Sequence, residues 1–174
     1  MWSFLSKRVD RLSEWMGYIS SWLVVILIGE LVYDTLVRYL FNAPSGWSYD
    51  ITYMLYGAAF MGGGAWTLLR NEHVRIDLIY GKISNKSKAI VDAIGYVVFF
   101  FPSMGVLLYF STKSAVHSWR MFEGSGETVW NPPIYPLKTV LVITILMLLL
   151  QGIVQFVRCI TVLREGGKYL DHQP

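Results

Sequence analysis

Cysteine and histidine are nearly missing from this 174-residue sequence: one Cys and three His. The single Cys159 excludes an internal disulfide and reads as a buried, unreactive thiol. No Ser/His/Asp set, no cysteine pair and no Gly-Lys-Ser/Thr phosphate loop is present, which removes the usual starting points for hydrolytic, redox and nucleotide chemistry. Charge is scarce as well, at 16% of residues against 54% hydrophobic. The small net charge of +3 gives no reason to expect a nucleic-acid partner.

What is there is long apolar runs, at about 17–37, 51–69, 89–110 and 137–157. Each approaches or exceeds the roughly 20 residues that cross a bilayer as a helix. Seven Trp and eleven Tyr sit largely near the run ends, as interfacial anchors do. The expected fold is all-α: an integral membrane four-helix protein forming a single domain over 1–174. Its spans are expected at about 17–40, 49–69, 88–110 and 134–163. Before span one, Trp2, Leu5, Val9, Leu12 and Met16 recur at three- and four-residue steps between charges, predicting an interfacial amphipathic helix over 2–16 on membrane lipids; a disordered tail is the alternative. No cleavable signal peptide is expected, since the first apolar run is too long and lacks a small-x-small exit.

Basic residues follow an alternating topology. Eleven Lys and Arg lie before span one, between spans two and three, or after span four; Arg38, Lys113, Arg120 and Lys138 lie on the other side. The positive-inside rule then puts both termini and the middle loop in the cytoplasm. That topology separates His73 from His117 and argues against a bis-His haem. No pair of broken helices marks a transport site at mid-membrane.

The unusual chemistry sits around the first hairpin. Glu30, Asp34 and Arg38 follow at four-residue spacing and form a slowly drifting stripe on one helix face. With Arg38 at the surface, Asp34 lies about 6 Å deeper and Glu30 about 12 Å deeper. Asp34 and Arg38 make an i,i+4 pair; Glu30 has no such partner in its own helix. It belongs either to an ion or proton pathway or to a contact with polar groups of a neighbouring helix or subunit. Ser48 is placed to cap the second helix, and Asp50 either serves that helix end or reaches Arg38 across the hairpin.

Span two carries Ala58/Gly62 and Ala59/Gly63, two small-xxx-small pairs that let another helix approach. His73 and Asp77 could share a helical face, but two ligands do not make a metal site; an interfacial segment docking on headgroups and a neighbouring subunit is the better reading. Pro102 should kink span three, and the helical pattern continues towards Phe122 until Gly124-Ser125-Gly126. The loop that follows holds Trp130, Pro132, Pro133, Tyr135 and Pro136, a stiff aromatic surface suited either to binding a partner outside or to lying in the interface. Gln151 and Gln155 share a face of span four and should bond to another helix, within the chain or in a neighbour.

Taken in order, Arg38-Tyr39-x-Phe41-Asn42, then Trp47 and the acidic Asp50, the Gly/Ala-rich second span, and Arg70-x-x-His73-Val74-x-x-Asp77 resemble the small membrane subunit (Q, DctQ-like) of TRAP transporters, the tripartite ATP-independent periplasmic transporters. The family more often has Glu where Asp50 stands. The resemblance implies two partners: a large multi-span membrane subunit holding the substrate and coupling-ion sites, and a periplasmic substrate-binding protein that delivers an organic acid. It implies that Arg38, Asn42, Trp47 and Asp50 fix the first hairpin and that His73 and Asp77 fix the cytoplasmic loop. It implies no cofactor, no catalytic residue and no substrate contact in this chain. The other readings are a membrane anchor of a respiratory complex and an independent proton-coupled channel.

Overall fold

The computed structural model describes residues 2–43, 45–70 and 85–165. Four helical rods account for most of them. α1 runs Trp2–Phe41 and α2 runs Ser48–Leu69. α3, Asn85–Gly95, passes through a π-helical turn, Tyr96–Phe100, into α4, Phe101–Met121. α5 runs Tyr135–Glu165. Three rods are long and apolar enough to cross a membrane: Ser6–Phe41, Lys86–Met121 and Tyr135–Arg164. α2, at 22 residues, spans about 33 Å and so is long enough. It is flanked by α1 on one side and α5 on the other.

The rods stand in a row rather than a closed bundle. α1 packs on α2, α2 on α5, and the α3–α4 rod on α5, with a smaller contact between α1 and α5. The row has a hairpin end, where α1 turns into α2 and α4 into α5, and an opposite tail end. Its polarity is inverted relative to a water-soluble core. Ser13, Ser20, Asp34, Thr144, Gln151 and Gln155 are buried, whereas Trp22, Ile26, Leu31, Val98 and Phe99 face outward. Inside a membrane no hydrophobic drive joins helices, so small and polar side chains make the contacts.

Glycine sets the closest approaches. A Cβ on Gly17 would stand 2.6 Å from the Trp66 ring, and one on Gly62 would stand 2.4 Å from Ser20 Oγ. These two points let α1 and α2 meet face to face. Gly152 lies under Phe100, 2.2 Å from where its Cβ would be.

One expectation needs correction. The N-terminal segment is not a separate interfacial helix followed by a turn. α1 is continuous from Trp2 to Phe41, because Asp10 and Ser13 lie on the same face as Gly17 and Ser20 and bond to α5, which draws the first turns into the row. At Pro102, which has no N–H to give, the helix is re-registered just upstream: the Phe101 N–H donates to the Tyr96 carbonyl, five residues back. The extra residue in that turn brings Phe100 and Phe101 both towards α5, where Phe101 meets Phe156 edge-on at 5.7 Å.

Candidate functional site

The hairpin end gathers most of the sequence-marked residues. Glu30 finds its partners on α2: Ser48 Oγ donates to Oε1, and Thr52 Oγ1 donates to Oε2 at 2.5 Å. Positions 48 and 52 share a face because four residues turn the helix about 400°. Asp34 is buried and takes a bond from Arg38 at 2.7 Å, while the Arg38 side chain stays 56% exposed. Ser48 therefore does not cap α2. Trp47 holds the cap position without a side-chain bond and stacks on Tyr33 at 5.9 Å. Asn42 ends α1 at φ 50°, a left-handed conformation asparagine tolerates better than most residues.

Asp50 does not reach Arg38. It is fully buried and accepts from Thr128 Oγ1 in the α4–α5 loop. Two residues beyond Ser48 it points about 200° away from the α1 face, so it meets the loop while Ser48 and Thr52 meet Glu30.

The loop is a closed unit. Gly124 and Pro133 form an antiparallel bridge, the Ser125 N–H donates to the Pro132 carbonyl at 2.8 Å, and the Ile134 N–H to the Glu123 carbonyl at 3.0 Å. Asn131 Oδ1 accepts from the Gly126 N–H across it. A Cβ on Gly124 would lie 2.2 Å from Asn131 Oδ1, so the crossing needs glycine there. Glu123 pairs with Lys138 of α5 at 2.5 Å. That bond holds the Glu123 carboxyl below its ordinary value of 4.5. Tyr135 packs at 4.3 Å on Trp119, which donates to Thr139, and stays half-buried. Trp130, with Val129 beside it, is the exposed tip.

The tail end has a second polar seam. Gln151, fully buried, donates to Asp10 Oδ1 at 3.1 Å and accepts from Ser13 at 3.0 Å. Arg158 pairs with the other oxygen of Asp10 at 2.6 Å. Gln155 donates to the Leu68 and Leu69 carbonyls at the end of α2. Both glutamines thus bond within the chain. Asp10, Ser13 and Arg158 escaped sequence reading; the signal available was the spacing of 10, 13, 17 and 20 along one face.

Of the small residues, Gly62 serves the α1 contact, while a Cβ on Gly63 would meet nothing within 4 Å and Ala58 borders a groove of about 360 Å³ between α2, α4 and α5. That groove is lined mainly by aromatic and apolar side chains such as Tyr53, Phe60 and Leu137. His73 and Asp77 lie outside the described residues. Among the described residues no group of three or more His, Cys, Asp or Glu could hold a metal ion.

Both seams join helices of one chain. The sequence model of the DctQ component of tripartite ATP-independent periplasmic transporters matches residues 27–162. The chain belongs to the DctQ family. No curated protein and no solved structure gave a match. As a DctQ component the chain is a membrane subunit of a TRAP transporter of the bacterial inner membrane, and the family is not one of enzymes. The match takes in the whole hairpin-end constellation but begins after Asp10 and Ser13, so the tail-end seam joins matched residues to a segment before the match.

Proposed function

We propose that this DctQ chain is a non-catalytic scaffold for a large multi-span subunit that imports an organic acid, a carboxylate or sulfonate, handed over by a periplasmic binding protein and driven by an ion gradient. Both termini lie in the cytoplasm, α2 spans the membrane with the other rods, and the hairpin end faces the periplasm. The observation that carries the reading is Glu30. This carboxylate, about 12 Å below Arg38, spends both oxygens on hydroxyls of its own α2, which suits a fastener between the two helices. The groove between α2, α4 and α5 has no convergent cationic group free for an acid substrate, since Lys138 is held by Glu123.

In this reading the outward apolar face of α1, with Trp22, Ile26 and Leu36, and the open backbone at Gly63 receive the large subunit. The exposed Val129–Trp130 tip meets the binding protein. His73 and Asp77 would fix the loop on the cytoplasmic side. The test is purification of tagged chain from native membranes in mild detergent, with mass spectrometry of what accompanies it. A large multi-span protein at equal stoichiometry is expected. Recovery with a haem or flavin subunit would overturn the reading.

A further inference from the structure

One basic stripe is left unused by both seams. Lys113, His117 and Arg120 follow at four and three residues on α4 and share a face about 60° wide. All three line a groove of about 610 Å³ whose foot is formed by Gly105, Leu108 and Tyr109. Every residue lining it belongs to α4, so its second wall is missing. Lys113 and Arg120 have no acidic partner among the described residues; Glu123, the nearest acid in sequence, is engaged by Lys138.

The depth of the stripe follows from the uncharged run below it. Between Asp92 and Lys113 lie twenty residues without a charged side chain, about 30 Å of helix, which equals the hydrocarbon thickness of a bilayer. Lys113 then stands at the boundary between acyl chains and headgroups, with His117 about 6 Å and Arg120 about 10 Å further out. An apolar foot at membrane depth leads into a cationic rim at headgroup height. At Gly105, a Cβ would meet nothing within 4 Å, so the foot stays open to a chain lying along the helix.

We propose that this face of α4 binds an anionic phospholipid of the adjacent leaflet, its acyl chain along Gly105 and Leu108 and its phosphate between Lys113 and Arg120. A docked acidic protein would explain the cations but not the apolar foot that continues below them. The inference does not depend on the transport role, since it needs only that α4 cross the membrane.

The test is native mass spectrometry of the full-length chain in detergent with equal phosphatidylglycerol and phosphatidylcholine. The wild type should retain phosphatidylglycerol preferentially. K113Q/R120Q should lose that preference, by roughly fivefold for each charge removed, while K113R/R120K keeps it. Equal preference in wild type and K113Q/R120Q would overturn the proposal. So would a K113Q/R120Q chain that binds lipid as the wild type does but, in phosphatidylcholine nanodiscs, loses its soluble periplasmic partner. Should the double variant fail to fold by circular dichroism, the wild type decides: its preference must fall between about 50 mM and about 500 mM salt, and a preference unmoved by salt would refute the site.

Discussion

Replacing Glu30 by Leu separates two quantities that a soluble protein would merge. The carboxylate takes one hydroxyl bond from Ser48 and one from Thr52. In membrane proteins such interhelical bonds average about 0.6 kcal/mol and reach about 1.7, so losing two should weaken α1–α2 association by about 1–3 kcal/mol. Against this, an ionised side chain at the centre of a span costs about 2.5–3.5 kcal/mol to insert. Glu30→Leu should therefore leave insertion of α1 equal or improved while lowering the pairing of α1 with α2. Glu30→Gln keeps an acceptor for one hydroxyl and can donate to the other, and should fall between. Steric trapping, with tags on the two helices, reads the pairing, and a glycosylation-reporter fusion reads insertion. The reasoning fails if Glu30→Leu leaves pairing unchanged, and it fails in a different way if uptake by the whole transporter is lost while pairing survives.

Gly152→Ala should lower the thermal midpoint, because the added Cβ meets Phe100 at 2.2 Å and overpacking of this kind costs about 1–3 kcal/mol; an unchanged midpoint would show that the aromatic cluster on α5 yields freely. Thr128→Val leaves the buried Asp50 without its one side-chain donor, so limited proteolysis should cut the 124–133 loop faster than in the wild type, and equal rates would refute the latch. Glu123 has a folded-state pKa below 4.5, so its contribution is complete above about pH 4.5 and is lost as pH falls through the lower folded value. Hydrogen exchange at the Ser125 and Ile134 amides should accelerate in that acid window, and Glu123→Gln should abolish the step.

Local spacing made part of this legible. The Asp34–Arg38 pair follows from an i,i+4 interval, the long helix reaching Met121 from uninterrupted pattern, and the close approach at Gly62 from the small residues of α2. Partners distant in sequence were beyond that reading. Periodicity says which face Asp50 occupies but not that Thr128, 78 residues on, will lie against it. The same limit hid the tail-end seam: Lys7, Arg8, Asp10 and Arg11 have the composition of a membrane-surface segment, and only the position of α5 turns Asp10 inward. At Pro102 the sequence shows that a backbone bond is lost, whereas the π-turn depends on where Phe156 waits for its aromatic neighbours.

The two polar seams also differ in when a growing chain can close them. Glu30 meets Ser48 and Thr52 after 18 and 22 residues of further synthesis. Asp10 must wait 148 residues for Arg158, and Ser13 must wait 138 for Gln151. At about 5–20 residues per second that is a delay of roughly 7–30 s. The deep carboxylate, which lipid would penalise most, is thus the one satisfied almost as soon as it is made. The late-closing acid sits among Lys7, Arg8, Arg11 and Glu14, where water and headgroups can serve it in the meantime. A chain that stops before α5 has its hairpin end sealed between α1 and α2 and its tail end still open, because Gln151 and Arg158 both lie on α5.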